Sequence, residues 1–370
     1  MLTRLAAALL VGMLLSTAYG ATFVAPAAAA TTGAVYTMTN GSSRNKVMVW
    51  SRAADGSLTS IRRVGTGGRG SGGALNNQGG LALAAGWLYA ANAGSDTVSV
   101  FKVNGAGLSR TDVEQSGGDR PISVAARGAL VYVLNAGADG GVAGFRRSTT
   151  GALTPIAGSA KPLSGTNVLP VQIGFTRDGT QLVVTERGSH KITRYRVAAD
   201  GSLTGPMSTN SAGPEPFGFD VAPDGTLIVS EAGNHVEDAS SVSSYRFDGS
   251  GAPVVVSASA ATTETAACWI EITPNGNYAY ETNTPDNSIT GFAISANGAL
   301  TRLDANGVTA ATGAGSFPID LHSSSDGKYL YVLTFGTHRI LAYAIGANGS
   351  LTARPGASGL PGGANGLIAR

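Results

Sequence analysis

Short apolar runs alternate with polar residues along this chain and are punctuated by glycine. Val171 to Thr176 reads as a strand, Leu182 to Thr185 as a second, Ile192 to Val197 as a third, and a fourth starts at Leu203. Asp178-Gly179 and Asp200-Gly201 separate them. Both central residues of a tight type I′ hairpin turn need positive φ, which Asp-Gly and Asn-Gly accommodate. The second of these turns belongs to a recurring phrase. Asp55-Gly-Ser-Leu-Thr59 and Asp200-Gly-Ser-Leu-Thr204 are its clearest copies, and its glycines fall at 56, 105, 151, 201, 249, 298 and 349. The other hairpin turn recurs at Gly86, Gly128, Gly179, Gly225, Gly276 and Gly327.

Seven units of four short strands at this spacing predict an all-β fold, a seven-bladed β-propeller of four-stranded antiparallel blades. The first unit lacks its first strand and begins at Ala34 to Thr39. The last residues, Gly366 to Arg370, resemble the first strands of other units, so pairing of the C-terminal strand with the N-terminal blade is expected to close the ring.

Composition narrows the class. Glycine is 53 of 370 residues and charged residues only 13%, as suits many tight turns between buried strands. The formal net charge is +2, which gives no electrostatic reason to expect nucleic acid or a membrane surface as partner. One cysteine excludes an intrachain disulfide framework, and with four histidines in all no metal or other cofactor is expected. At the N-terminus, Arg4 precedes an apolar run from Leu5 to Leu15, and Ala28-Ala29-Ala30 supplies a small-residue cleavage site. Residues 1–30 therefore read as a signal peptide and 31–370 as the propeller domain of an exported, secreted protein, expected to be a monomer. No later run approaches the roughly 18 apolar residues of a membrane helix.

Candidate chemistry follows from the strand order. With strands A to D numbered outward from the axis, A–B and C–D turns share one rim, built of bland DG and NG turns. B–C and D–A loops share the other rim, which carries His190, His235 and His338. Rigid scaffolds place function on such loops, so this rim is assigned as the working face. Strand B ends on Asn40, Asn92, Asn135, Glu186, Glu231, Asn283 and Thr334. Such a residue either holds the following turn or, as a glutamate, brings charge to the rim. Along the A strands, which line the axial channel, Asp220, Glu271 and His322 hold equivalent places in three consecutive blades, and a carboxylate beside an imidazole can supply base and acid. Trp269 and Phe317 begin A strands near the mouth, and Arg120 and Glu215 sit in D–A loops.

The units Phe217-Gly-Phe-Asp-Val-Ala-Pro-Asp-Gly-Thr-Leu-Ile-Val-Ser-Glu231 and Asp326-Gly-Lys-Tyr-Leu-Tyr-Val-Leu resemble the lactonase family of seven-bladed propellers, the 6-phosphogluconolactonase and carboxymuconate cyclase types. Leu88-Tyr-Ala-Ala-Asn-Ala-Gly-Ser-Asp-Thr-Val-Ser-Val-Phe101 also resembles the YVTN repeats of surface propellers. The resemblance spans about residues 33 to 370 and implies a functional Glu after strand B, matched by Glu231 and less closely by Glu186. It also implies a lead-in His and a late Arg, where this chain has Pro214-Glu215-Pro216-Phe217, Cys268-Trp269 and Asn283-Thr284 instead. The expectation is an exported lactonase-like hydrolase of a non-phosphorylated lactone or cyclic ester, not of sugar phosphates. Glu231, His235 and His322 are its candidate catalytic residues, and Glu186, His190, Arg120, Asp220, Glu271 and Trp269 its candidate substrate contacts. The alternative is a non-catalytic propeller that binds a small ligand, a glycan or a protein on the same rim.

Overall fold

The computed structural model describes residues 31–370; the expected signal peptide lies outside the described residues. Seven four-stranded antiparallel sheets form a ring. Blade 1 runs outward from the axis as Asn365–Ala369, Thr31–Met38, Lys46–Ala53 and Leu58–Gly65. The ring is thus closed by the last strand, with Val35, Tyr36 and Thr37 opposite Ala369, Ile368 and Leu367. Blade 4 shows the standard unit: Pro170–Phe175, Gln181–Glu186, Lys191–Val197 and Leu203–Asn210. Blade 6 adds the two-residue strand Ala310–Ala311 beside its third strand.

The repeated DG phrase has a second role beyond turning the chain. The strand B tyrosine of one blade donates its hydroxyl to the turn carbonyl of the next: Tyr132 to Gly201 at 2.6 Å, Tyr280 to Gly349 at 2.8 Å and Tyr331 to Gly56 at 2.8 Å. All three tyrosines are fully buried. Gly201 has φ of 87°, and a Cβ there would meet the side chains of Ile156 and Leu130 at 2.7 and 2.9 Å. Glycine is therefore required twice, for the turn and for the close approach of the neighbouring blade. Tyr280→Phe leaves the Gly349 carbonyl unpaired under a buried ring. We expect a loss of about 1–2 kcal/mol in urea unfolding; an unchanged midpoint would show that the latch is idle.

The innermost strands of blades 3 to 7 are irregular at one end. In blades 3 to 7 the A–B register shifts near the first residues of strand A, at Pro121, Pro170, Pro216, Ala267 and Ile319. The residue just before each of these strands, Arg120, Leu169, Glu215, Ala266 and Phe317, has φ between 46° and 56°. Bulges at a barrel rim re-aim side chains. Here the bulge and the left-handed residue recur together at the same rim.

Candidate functional site

The channel through the ring is blocked on the B–C/D–A side. The loop of residues 66–80, between blades 1 and 2, crosses the axis and carries Asn77 and Gln78 into it. Gln78 pairs with the backbone of Ile270 in both directions, its Nε2 donating at 2.7 Å and its Oε1 accepting at 3.1 Å. Asn77 donates to the Ile122 carbonyl, takes the Asn365 amide at 2.9 Å on its side chain and the Trp269 indole N–H at 2.7 Å on its carbonyl. Blades 1, 3 and 6 are thereby tied to one plug. The repeat pattern does not predict this plug. Its one signal is the unusual length and glycine content of this D–A segment around Asn76-Asn77-Gln78.

The plug separates residues that the sequence placed on one face. Asp220, Glu271 and His322 lie near the DG-turn ends of their strands, beyond the plug, at the other end of the channel. His322 Nδ1 is 2.8 Å from the Ser323 carbonyl and 3.5 Å from Glu271, whose carboxylate accepts the Ser323 amide at 2.9 Å and hydroxyl at 2.6 Å. Asp220 accepts the amides of Val221 and Ile272 at 2.7 and 2.9 Å. Burial, then the charge of Glu271, pushes Asp220 up to about 7. Burial does the same to Asp320, although His322 opposes it. For His322 burial disfavours the charged ring, but Glu271 and the other acids outweigh it and raise its pKa.

These shifts set a pH dependence. All three groups bind protons more tightly folded than unfolded, so the stabilisation from Asp220 and Asp320 is full at low pH and is lost as pH rises through about 4 to 7, and that from His322 is lost above about 6.5. The DG-turn aspartates Asp55, Asp200 and Asp248 are held below the usual carboxylate value by the hydroxyl of the serine two residues on. They act in the opposite sense, below about pH 4. Urea midpoints should therefore fall from pH 5 to pH 8, and Asp220→Asn should flatten the decline. A midpoint that rises over this window would contradict the assignment.

The residues that end strand B are buried in every blade. Glu231 accepts Gly213 N–H at 2.7 Å and the hydroxyls of Ser211 and Ser241 at 2.9 and 2.6 Å. Glu186 accepts the amide and hydroxyl of Ser164 and the Ser189 hydroxyl. Asn40 accepts the Ser71 amide and Asn135 donates to the Ser116 carbonyl, while Asn92 and Asn283 donate to the hydroxyls of Ser99 and Thr290 on the next strand. The structure thus puts Glu186 and Glu231 behind the mouth, holding loops.

The residue one step further on lines the mouth in blades 3, 4, 6 and 7 and is buried in blade 5. These are Ala136, Arg187, Ala232, Thr284 and Phe335 in blades 3 to 7. Four of them donate their amide to the carbonyl of the left-handed lead-in: Ala136 to Arg120, Arg187 to Leu169, Ala232 to Glu215 and Phe335 to Phe317, at 2.9 to 3.1 Å. Variable side chains from these two positions thereby edge the opening. In blades 3 to 5 they include Arg120, Arg187 and Glu215; in blades 6 and 7 they are Thr284, Phe317 and Phe335.

The polar half converges on Glu215. Arg187 Nη1 lies 3.8 Å from its Oε1, and His235 Nε2 lies 3.6 Å from its Oε2. That Oε2 is buried and accepts no hydrogen bond. The Glu215 amide donates to His190 Nδ1 at 2.9 Å, so the His190 proton sits on Nε2. Arg187 and Arg120 both line a basin against the plug residues Leu75 and Asn76. Of the expected contacts, His190, His235 and Arg120 are at this mouth. Trp269 is buried beneath it, packed edge-on against Phe217 at 4.9 Å. Among the described residues, no cluster of three or more His, Cys, Asp or Glu side chains is arranged to hold a metal ion.

The sequence profile of the lactonase, 7-bladed beta-propeller family matches residues 30–170, 159–268 and 238–358, most of the chain. The chain belongs to this lactonase family. Solved structures agree on the fold. A protein from Lactobacillus plantarum superposes with a TM-score of 0.72 at 20% identity, covering 90% of this chain and 98% of that one. The periplasmic gluconolactonase PpgL of Pseudomonas aeruginosa gives 0.70 at 17%, covering 90% and 98%. A Bacteroides fragilis protein provisionally assigned as a 6-phosphogluconolactonase gives 0.68 at 19%, covering 90% and 97%. No curated protein matches in sequence. Within this lactonase-family chain, Glu215 is legible from sequence as a D–A loop residue, whereas Arg187 stands one place beyond the strand-end glutamate and meets Glu215 only in the folded ring.

Proposed function

We propose that the chain is an exported hydrolase that opens a non-phosphorylated lactone at the Arg187–Glu215–His235 mouth. The observation that carries this reading is the Glu215 carboxylate, with one oxygen free of donors, beside an imidazole and a guanidinium. Ring opening adds water to the ester carbonyl and breaks the ring C–O bond. Glu215 takes the proton from the attacking water, Arg187 faces the developing oxyanion, and His235 returns a proton to the leaving alkoxide; the product is a hydroxy acid. Export is supported by the Arg4, Leu5–Leu15 and Ala28–Ala30 pattern, and by the periplasmic description of the structurally similar PpgL. It would separate the protein from cytosolic sugar phosphates. The test is a panel of lactones assayed by acid release, with and without chelator. Chelator-insensitive hydrolysis is expected; no turnover of any lactone would remove the reading.

A further inference from the structure

The second half of the mouth has a different chemistry. A cleft of ≈ 320 Å³ lies between the plug and blades 6, 7 and 1. Leu75, Trp269, Phe317, Ile319, Phe335 and Ala364 form its walls. Phe317 and Phe335 remain 43% and 40% exposed, although they face a concavity. The polar groups on its lining are largely spent. The Trp269 indole donates to Asn77 O, the Thr284 hydroxyl to Pro318 O at 2.9 Å and the Asn365 amide to Asn77 Oδ1. Such a cleft gives little hydrogen-bonding return to a sugar hydroxyl, which would lose its water there. An alkyl or aryl group would instead gain from covering the two phenyl rings.

The cleft is also built. Phe317 is held with φ of 46° by two bonds, its N–H to Asn287 Oδ1 at 2.9 Å and its carbonyl from the Phe335 N–H at 3.0 Å. Gly336 makes room for the ring: a Cβ there would meet Phe317 Cδ2 at 2.6 Å and the Gly315 carbonyl at 2.1 Å. Leu75 and Asn76 of the plug line both this cleft and the basin of Arg120 and Arg187. One molecule can therefore lie across the ridge, apolar at one end and polar at the other. Its volume is at the lower end of small-molecule sites, roughly 300–1,000 Å³.

Resting on the lactonase reading above, we infer that the substrate is a lactone carrying an apolar alkyl or aryl substituent, seated in the blade 6–7–1 cleft with the ester toward Arg187 and Glu215. The inference sets this chain apart from a sugar lactonase through residues of its own.

Two measurements separate the inference from the reading beneath it. The first compares kcat/KM for γ-nonalactone with γ-butyrolactone, which share a ring and differ by a pentyl tail. The second compares binding of 3-pentylcyclopentanone with cyclopentanone by calorimetry; neither can be hydrolysed. Both are repeated in Phe335→Ser, and in Phe335→Leu as a variant that keeps an apolar wall. A preference of about tenfold or more for the tailed compound is expected in both assays, falling towards one in Phe335→Ser and largely kept in Phe335→Leu. Hydrolysis with no tail preference, or hydrolysis with tail-independent binding, overturns the inference and leaves the lactonase reading standing. Tail-dependent binding with no hydrolysis overturns the lactonase reading and supports an apolar ligand in the cleft. Absence of both overturns both. A concentration-dependent dimer that Phe335→Ser dissolves, without tail-dependent binding, would make the cleft a contact between copies and also overturn the inference.

Discussion

A chain cut after Gly363 does not yield a cooperatively folded propeller. The lost strand, Asn365–Ala369, is buried along its whole length and is the innermost strand of blade 1. Leu367 and Ile368 leave the core; each fully buried aliphatic is worth about 1.5–3 kcal/mol. Thr31–Met38 then presents an unpaired edge where it was covered, and each stranded backbone group costs about 1–3 kcal/mol if it stays buried. Asn365 also releases the plug, and the Arg370 carbonyl no longer receives Ala34 N–H and Arg52 Nε, both at 3.1 Å. The sum approaches the roughly 5–15 kcal/mol that holds a typical protein folded. Calorimetry should show no sharp transition, and Ala364–Arg370 added as a free peptide should restore part of it. A truncated chain that melts at the temperature of the intact one would mean that this strand does not hold the ring.

Glu215→Gln lowers kcat/KM by roughly 10² to 10⁴ if the carboxylate is the general base, with unfolding unchanged. Glu231→Gln does the reverse. Its carboxylate accepts from Ser211, Gly213 and Ser241 in a buried pocket, and an amide nitrogen must face one of those donors. We expect about 1–3 kcal/mol of lost stability in urea titrations and near-normal turnover per folded molecule. The crossed pattern is the point of the pair, since each variant removes one negative charge and keeps the shape. If Glu231→Gln abolished turnover without loss of stability while Glu215→Gln did neither, the mouth as assigned would not be the site of chemistry.

At the end of strand B, one residue separates a side chain that holds loops, Glu186, from one that lines the mouth, Arg187. In an extended strand successive side chains point to opposite sides. The end of strand B was visible in the sequence at Glu186 and Glu231, but which side its last residue faces depends on the bulge in the neighbouring strand. In the fold it is the next residue, Arg187, that reaches the basin beside the plug, while Ala232 packs in the core. Asp220, Glu271 and His322 tell a related story. Their equivalence in three blades was legible from the repeat, and the structure keeps them together. Their separation from the working face follows from the plug, a loop belonging to a different blade.

The local chemistry of the chain by itself determined the ring. Asp-Gly and Asn-Gly demand tight turns, alternation demands two-faced strands, and the spacing of about fifty residues admits one blade per unit; the missing first strand and the apolar C-terminus then imply their own pairing. All of these depend on neighbours in sequence or on a strict repeat. The site depends on residues far apart that no repeat relates. Gln78 reaches Ile270, and Asn77 meets Trp269 and Asn365, only because closure brings blades 1, 3 and 6 to the axis. The charged and apolar halves of the mouth likewise exist only once the variable lead-in and strand-exit residues of five blades face one another. Their pattern is set by position around the ring, so tertiary structure alone decided it.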